Sequence, residues 1–341
     1  MIHVLLIGAG TMGKVHANAY QEMENVKIVG IVDAQRNAAE LIAAPMGLPV
    51  YPTLEEAMDS ESSIDVVDVC VPTSLHKEFV IKAANLGKHV ICEKPLSRSL
   101  DDAKEMIDCC NEKNVMLFVA HVVRFFPEYQ KAREVLENGN IGKPGVVRTF
   151  RGGAFPLSVN DWYADFQNSG GLVLDMIIHD FDYLRWCFGE VKRVYAKSLL
   201  GRGLARLDHA VVTLRFENGV IAHVEGSWAH EGFKTSFEIA GSKGIIEFDS
   251  LAEQPLISVK RNVKERAGEA QVPESPLKNT PYFRQLNHFI HCIETSEEPI
   301  VSSYDAYKAM EIALAALKSI ETGKVITLNT AQKQEMRGSI Q

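Results

Sequence analysis

Over roughly the first 120 residues, short apolar runs at Val4–Ile7, Ile28–Val32, Val66–Val71, His89–Cys92 and Val115–Ala120 alternate with stretches of helical spacing. Runs that are apolar throughout suit strands buried on both faces, and strands alternating with helices predict a parallel sheet between helical layers. From about residue 146 the runs become longer and β-branched, as in Ala210–Phe216 and Val220–Ser227. Glu217-Asn218-Gly219 lies between them, and its Asn-Gly pair predicts a tight antiparallel hairpin. A second hairpin is predicted around Gly241-Ser242-Lys243-Gly244, between Ser236–Ala240 and Ile245–Phe248. The polar, proline-bearing stretch from Lys260 to Pro281 reads as a surface excursion. Helices are expected around Phe283–Glu294 and Tyr304–Thr322, the second stopped by Gly323. The pattern thus predicts an α/β domain over residues 1–121 and an α+β domain over 122–341.

A chain of 341 residues is long for one core and suits two domains, which implies a cleft between them. Hydrophobic residues make up 46% and charged residues 23%, an ordinary globular composition. A formal net charge of −8 gives no basic field for binding a phosphate backbone, so a small molecule is the expected partner and nucleic acid is not. No apolar stretch approaches the roughly 20 residues needed to span a bilayer, and the run before Gly8 is short for a secretory signal. No membrane partner is expected, and the expected location is the cytoplasm. The six cysteines are scattered without metal-ligand spacing, which predicts reduced thiols and no metal site.

The first predicted strand runs into Gly8-Ala9-Gly10-Thr11-Met12-Gly13, and helical spacing (Met12, Val15, Ala19, Met23) follows at once. Glycines there permit a tight turn, close approach of backbone to a pyrophosphate and close helix packing, while the helix N-terminus faces the anion. A glycine triplet alone is unspecific, but the second strand ends in Asp33, twenty residues after Gly13. An acid at that place accepts ribose hydroxyls and repels a 2′-phosphate, which predicts NAD over NADP, although Arg36 is close enough in sequence to favour a phosphate. Two further segments fall at carboxyl ends of predicted strands, where such sheets bind ligands: Val71-Pro72-Thr73-Ser74-Leu75-His76 and Cys92-Glu93-Lys94-Pro95. Pro72, Thr73, His76, Glu93 and Lys94 therefore join Gly8, Gly10, Thr11, Met12, Gly13 and Asp33 as candidate cofactor contacts. Pro95 disfavours helical geometry at Lys94, so its ammonium is expected to project over the crevice.

In the second half, a mostly apolar helix is predicted from Gly170-Gly171 through Asp175, His179 and Asp182 to Trp186, ending at Gly189. The spacing puts those three polar residues along one face, and burying them is costly unless they are paired or used. Histidine, with an unperturbed pKa near 6.5, suits proton transfer at neutral pH. His179 is thus the expected proton acceptor; Asp175 either holds substrate or tunes His179, and Lys94 steadies the substrate oxygen. Arg124 either contacts substrate or braces the domain junction, and Trp162 lines the pocket or belongs to core or lid. Cys109-Cys110 has no activating basic neighbour and reads as packing.

These features together resemble the Gfo/Idh/MocA family of oxidoreductases: the glycine segment with His16, the acid Asp33, Glu93-Lys94-Pro95, and the segment from Gly170 to Asp182. The resemblance covers nearly the whole chain. It implies a Rossmann domain followed by a domain with a large, mostly antiparallel sheet, whose open face commonly mediates homodimers or homotetramers. It also implies Lys94, Asp175 and His179 as the catalytic set, acting on sugars, polyols or related hydroxy compounds, and Asp175–Asp182 is most similar to the inositol dehydrogenase branch. Ser169 and Ile177 depart from the family pattern, each standing where glycine is frequent. Two other classes of function keep the same cofactor: a non-catalytic NAD-binding sensor, and a hydrolase or lyase working through a transient ketone.

Overall fold

The computed structural model describes residues 1–156, 159–199, 208–252, 258–261 and 279–329. Six strands form the first sheet: β1 (Ile2–Ile7), β2 (Val26–Val32), β3 (Val50–Tyr51), β4 (Val66–Val69), β5 (His89–Cys92) and β6 (Leu117–Val119). All neighbours pair in parallel, in the order β3-β2-β1-β4-β5-β6. The two-residue β3 carries too little pattern to be read from sequence. Val4 to Ile7 are at most 1% exposed, because helices cover both faces of the central strand. Strand order reverses between β1 and β4, and the loops after β1, β4 and β5 meet at that switch point, where open α/β sheets bind ligands.

The second sheet has eight strands: β7 (Pro144–Ala154), β8 (Val191–Ser198), β9 (His209–Phe216), β10 (Ile221–Ser227), β11 (Ala229–Gly241), β12 (Gly244–Asp249), β13 (Ser258–Arg261) and β14 (Ile326–Thr327). Their order is β13-β12-β11-β7-β10-β9-β8-β14, and every pair is antiparallel except β7 with β10. Both predicted hairpins form, β9 with β10 around Asn218-Gly219 and β11 with β12 around Ser242-Lys243. Alternate residues of β9, Ala210, Val212 and Leu214, are buried under helices, while Val211 and, on β8, Tyr195 lie on the exposed face. Of the stretch expected to be a surface excursion, residues 262–278 lie outside the described residues. Lys260 and Arg261 instead end β13, and Pro281 begins the helix Pro281–Thr295. No helix among the described residues is long and apolar enough to cross a membrane.

The boundary at 121/122 separates the sheets but not the cores. Leu286, Phe289 and Ile290 of the late helix Pro281–Thr295 pack with Val4, Leu6 and Phe118 of the first sheet, and Phe289 stacks on Phe118 with ring centres 4.9 Å apart. A second cluster is continuous from Ile7 and Val69 through Leu172 to Val224 and Ile312. The chain therefore returns to its N-terminal domain, and apolar packing fixes how the halves meet.

The single helix expected from Gly170 to Trp186 is two helices, Gly171–Asp175 and Ile178–Phe188. At the break, the amides of Met176 and Ile177 both donate to the carbonyl of Leu172, at 3.0 and 3.1 Å. Ile177 here presses on β10 at Gly226, where an added Cβ would lie 2.4 Å from Ile177 Cγ2. Ile177, unusual for the family resemblance, is thus matched by a missing side chain in the sheet beneath it. The break ends the common face on which Asp175, His179 and Asp182 were expected to lie.

Candidate active site

The loop after β1 is built for close approach. Gly8 has φ +99°, and a Cβ there would lie 2.5 Å from the carbonyl oxygen of Cys70. A Cβ on Gly13 would lie 1.9 Å from the Gly8 carbonyl oxygen, so this residue lets the helix Thr11–Gln21 pack on the loop. Gly10 has nothing within 4 Å of its would-be Cβ, and no side chain caps the helix that it begins. The first-turn amides at Thr11, Met12 and Gly13 thus border open space on the positive end of a helix, as a pyrophosphate requires. Asp33, at the end of β2, accepts from the amides of Ala9 and Gln35, both at 2.7 Å, which pins its carboxylate beside the glycine loop. Arg36 is paired with Glu40 at 2.8 Å. These residues fit the adenosine half of a dinucleotide.

The β4 and β5 loops are tied together from behind. Thr73 begins a short turn after Pro72 and is buried. His76, expected to touch cofactor, is 1% exposed and places Nδ1 2.9 Å from the Pro95 carbonyl oxygen and Nε2 2.9 Å from that of Val71. Burial lowers its pKa, so the neutral ring, lying between the two loops, donates to one of these carbonyls. Glu93, also expected at the cofactor, turns inward: its Oε1 lies 3.2 Å from His16 Nε2, off the line of a good hydrogen bond, and its Oε2 accepts from the Lys94 amide at 3.0 Å. His16 Nδ1 lies 2.8 Å from Asp68 Oδ2, which also accepts from the Tyr20 hydroxyl. Burial opposes charge on His16, but the Asp68 carboxylate and the Cys70 sulfur outweigh it and raise its pKa well above the usual value. The ion pair of charged His16 with Glu93 and the Lys94 amide bond to Glu93, both in a dry interior, hold the β5 loop in place.

Above that support, Lys94 Nζ donates to the Asp175 carbonyl oxygen at 2.7 Å and to Asp175 Oδ1 at 3.0 Å. A residue from the first domain thereby meets one from the second. Burial works against the ammonium, yet Asp175, Tyr163 and Glu93 raise its pKa, so Lys94 is charged at neutral pH. His179, one turn further on, has its Nδ1 buried without a partner among the described residues. Burial first, then Lys94, Arg151 and His121, push its pKa well below 6.5, so its imidazole is neutral at pH 7. The expected pairing of Lys94, Asp175 and His179 is thus brought to one place.

Arg124 is elsewhere. It is 1% exposed, and its Nε and Nη2 donate to Asp182 at 2.8 and 2.5 Å, while Nη1 donates to the Ile300 carbonyl at 2.7 Å and to Asp305 at 3.2 Å. All three guanidinium nitrogens are thus engaged by the protein, so the structure places Arg124 as a brace of the junction with Asp182 as its partner. Trp162 stacks on Tyr163 with ring centres 3.9 Å apart, so it backs another aromatic ring. Tyr163 is the aromatic residue that senses Asp175 and Lys94, burial and the Asp175 carboxylate pushing its hydroxyl up to about 12. Tyr282 and Arg151 were not anticipated. Tyr282, from the start of the late helix, has its pKa raised first by burial and then by the Glu93 carboxylate, against the opposing pull of Lys94, which places it near the β5 loop. Arg151 occupies an inward position of β7 and pairs with Asp180 at 2.6 Å. A charged residue in phase with the buried positions Val147 and Thr149 was the available sign.

A cradle for a dinucleotide, with a charged lysine on the same domain and a neutral histidine across the domain junction, defines a two-domain NAD-dependent oxidoreductase. Residues 2–121 match the family model for oxidoreductases with an NAD-binding Rossmann fold, and residues 129–247 match that for the GFO/IDH/MocA C-terminal domain. The chain belongs to the Gfo/Idh/MocA family, and its cofactor is NAD. It is 32% identical to the myo-inositol 2-dehydrogenase of Thermotoga maritima, over 95% of this chain and 97% of that one. It is 29% identical to the NAD-dependent scyllo-inositol 2-dehydrogenase of Bacillus subtilis, over 96% of each. Among solved structures, a probable dehydrogenase from Thermotoga maritima superposes with a TM-score of 0.81 at 31% identity, covering 96% of this chain and 98% of that one.

The Asp33 geometry makes a prediction about the coenzyme. Asp33→Ala removes a charged hydrogen-bond acceptor worth about 1.5–3 kcal/mol, so kcat/KM with NAD should fall on the order of tenfold or more. NADP should lose far less, since the repulsion of a 2′-phosphate goes with the carboxylate. Steady-state kinetics with both coenzymes checks this, and an unchanged NAD-to-NADP ratio would remove Asp33 from coenzyme selection.

Proposed function

We propose that this chain reversibly oxidises a secondary alcohol on a cyclic polyol or sugar of the inositol type. The observation that carries the reading is the contact of Lys94 Nζ with Asp175 Oδ1, 3.0 Å across the domain junction, next to a neutral His179. NAD supplies the hydride acceptor when bound. His179 takes the hydroxyl proton at Nε2, because Nδ1 is the nitrogen that is buried. Lys94 donates to the same substrate oxygen and steadies it as its charge changes, and Asp175 holds the ammonium in position. Tyr163, backed by Trp162, forms a flat wall against which a ring can lie. The inositol dehydrogenases named above support the ring-polyol class.

The test is nicotinamide absorbance at 340 nm with NAD against inositols, aldoses and other ring alcohols. The expected result is stoichiometric NADH with at least one ring polyol. No turnover across the panel would favour a sensor, and product without net absorbance change would favour a hydrolase or lyase working through a transient ketone.

A further inference from the structure

His121, immediately beyond β6, is 0% exposed, and neither of its ring nitrogens has a partner among the described residues. Its ring stands edge-on to that of His179, with centroids 6.1 Å apart and planes at 86°. His179 Nδ1 is likewise buried and without a partner. Three imidazole nitrogens are therefore desolvated side by side, each at a cost of about 1–3 kcal/mol if left unsatisfied. For Nε2 of His179 to accept a proton, Nδ1 must carry one, and a buried N–H needs an acceptor. The other groups acting on His179 are Lys94 and Arg151, both pure donors, and Arg151 is already paired with Asp180. Of these titratable neighbours, His121 is the one that can accept.

We propose that His121 is a positioning residue: a ring nitrogen of neutral His121 accepts from Nδ1–H of His179, through a turn of the ring or one bridging water, and so fixes the tautomer that leaves Nε2 free for the alcohol proton. This rests on the reading of His179 as the proton acceptor. The charged groups facing His121 are Asp182, Arg124, Lys94 and Asp305, of which Arg124 engages both carboxylates. They neither occupy its ring nitrogens nor offset its burial, which keeps it neutral.

The test is the histidine tautomer, read by long-range ¹H–¹⁵N correlation on the full-length, ¹⁵N-histidine-labelled protein with and without NADH, beside kinetics of His121→Phe and His121→Asn. Wild-type His179 should be protonated at Nδ1. His121→Phe should lose that preference and lower kcat by roughly tenfold or more with KM little changed, and His121→Asn, whose amide oxygen accepts, should recover much of both. A wild-type His179 protonated at Nε2 overturns the proposal even if both variants fail to fold, as does a His121→Phe protein with unchanged tautomer and kcat. If no alcohol is turned over, the functional reading fails, while the wild-type tautomer still decides this one.

Discussion

Lys94→Ala and His179→Ala proteins should bind NADH as the parent chain does, yet lose roughly 10²- to 10⁴-fold in kcat/KM for the alcohol, the usual worth of a positioned proton-transfer group. Cofactor affinity should survive because the cradle at Gly8, Gly10 and Gly13 and the acid Asp33 lie on the β1 and β2 loops, whereas the two side chains come from the β5 loop and the helix Ile178–Phe188. The backbone amide of Lys94 still donates to Glu93 after truncation, so the β5 loop keeps its anchor. His179→Ala removes a side chain whose Nδ1 has no direct partner among the described residues, so no contact of the cofactor cradle goes with it. The pH profile adds a signed expectation. A base must be neutral to act, and burial with Lys94, Arg151 and His121 holds the His179 pKa well below 6.5. Oxidation should therefore stay level as pH falls through 6.5 and decline only below it, and the decline should vanish in His179→Ala. Fluorescence titration with NADH and initial rates from pH 5 to 9 check this. Turnover within tenfold of wild type in either variant would remove that residue from the mechanism.

Arg124→Ala should be the most destabilising single change at the junction, about 3–5 kcal/mol, because it leaves the Asp182 side chain at 0% exposure without its bidentate partner. That is a large share of the roughly 5–15 kcal/mol by which domains are stable. The double variant Arg124→Met/Asp182→Leu should be more stable than Arg124→Ala, since no buried charge is then stranded. Urea unfolding measures both, and a loss under about 1 kcal/mol for Arg124→Ala would show that the brace carries little. A pH signature accompanies it. Burial alone would raise the Asp305 pKa, but Arg124 and Arg185 together bring it from 3.8 to about 2. A carboxylate with a depressed folded-state pKa adds stability above its unfolded value and loses it as pH falls through the folded one, here between 3.8 and about 2. In Arg124→Ala that acid-sensitive contribution should shrink, leaving the part due to Arg185.

Where sequence reading succeeded, the signal was local or periodic. Val4–Ile7 into a glycine turn and then a helix admits few alternatives, since hydrophobic period and turn chemistry act within a few residues. Lys94 and Asp175 were legible as candidates by the same logic, one at a strand end and the other a costly charge in an apolar run. The family resemblance added the pairing of the two.

Other roles were set by partners distant in sequence. Arg124 had two open readings until Asp182 and Asp305, 58 and 181 residues away, were seen to consume its donors. His76 and Glu93 sit in the expected loops but turn away from the crevice, because the Pro95 carbonyl and His16 offer buried polar partners. The seat of Ile177 at the helix break depends on a glycine in β10, and Tyr282 comes near the β5 loop from a helix that packs back on the first domain. By itself the sequence determined the alternation of elements, the cofactor turn and the residues capable of chemistry, all of which follow from neighbours within one or two turns of chain. The tertiary structure decided which of those residues share a cavity and which are used up as braces, because burial and hydrogen-bond satisfaction are properties of contacts that chain distance does not encode.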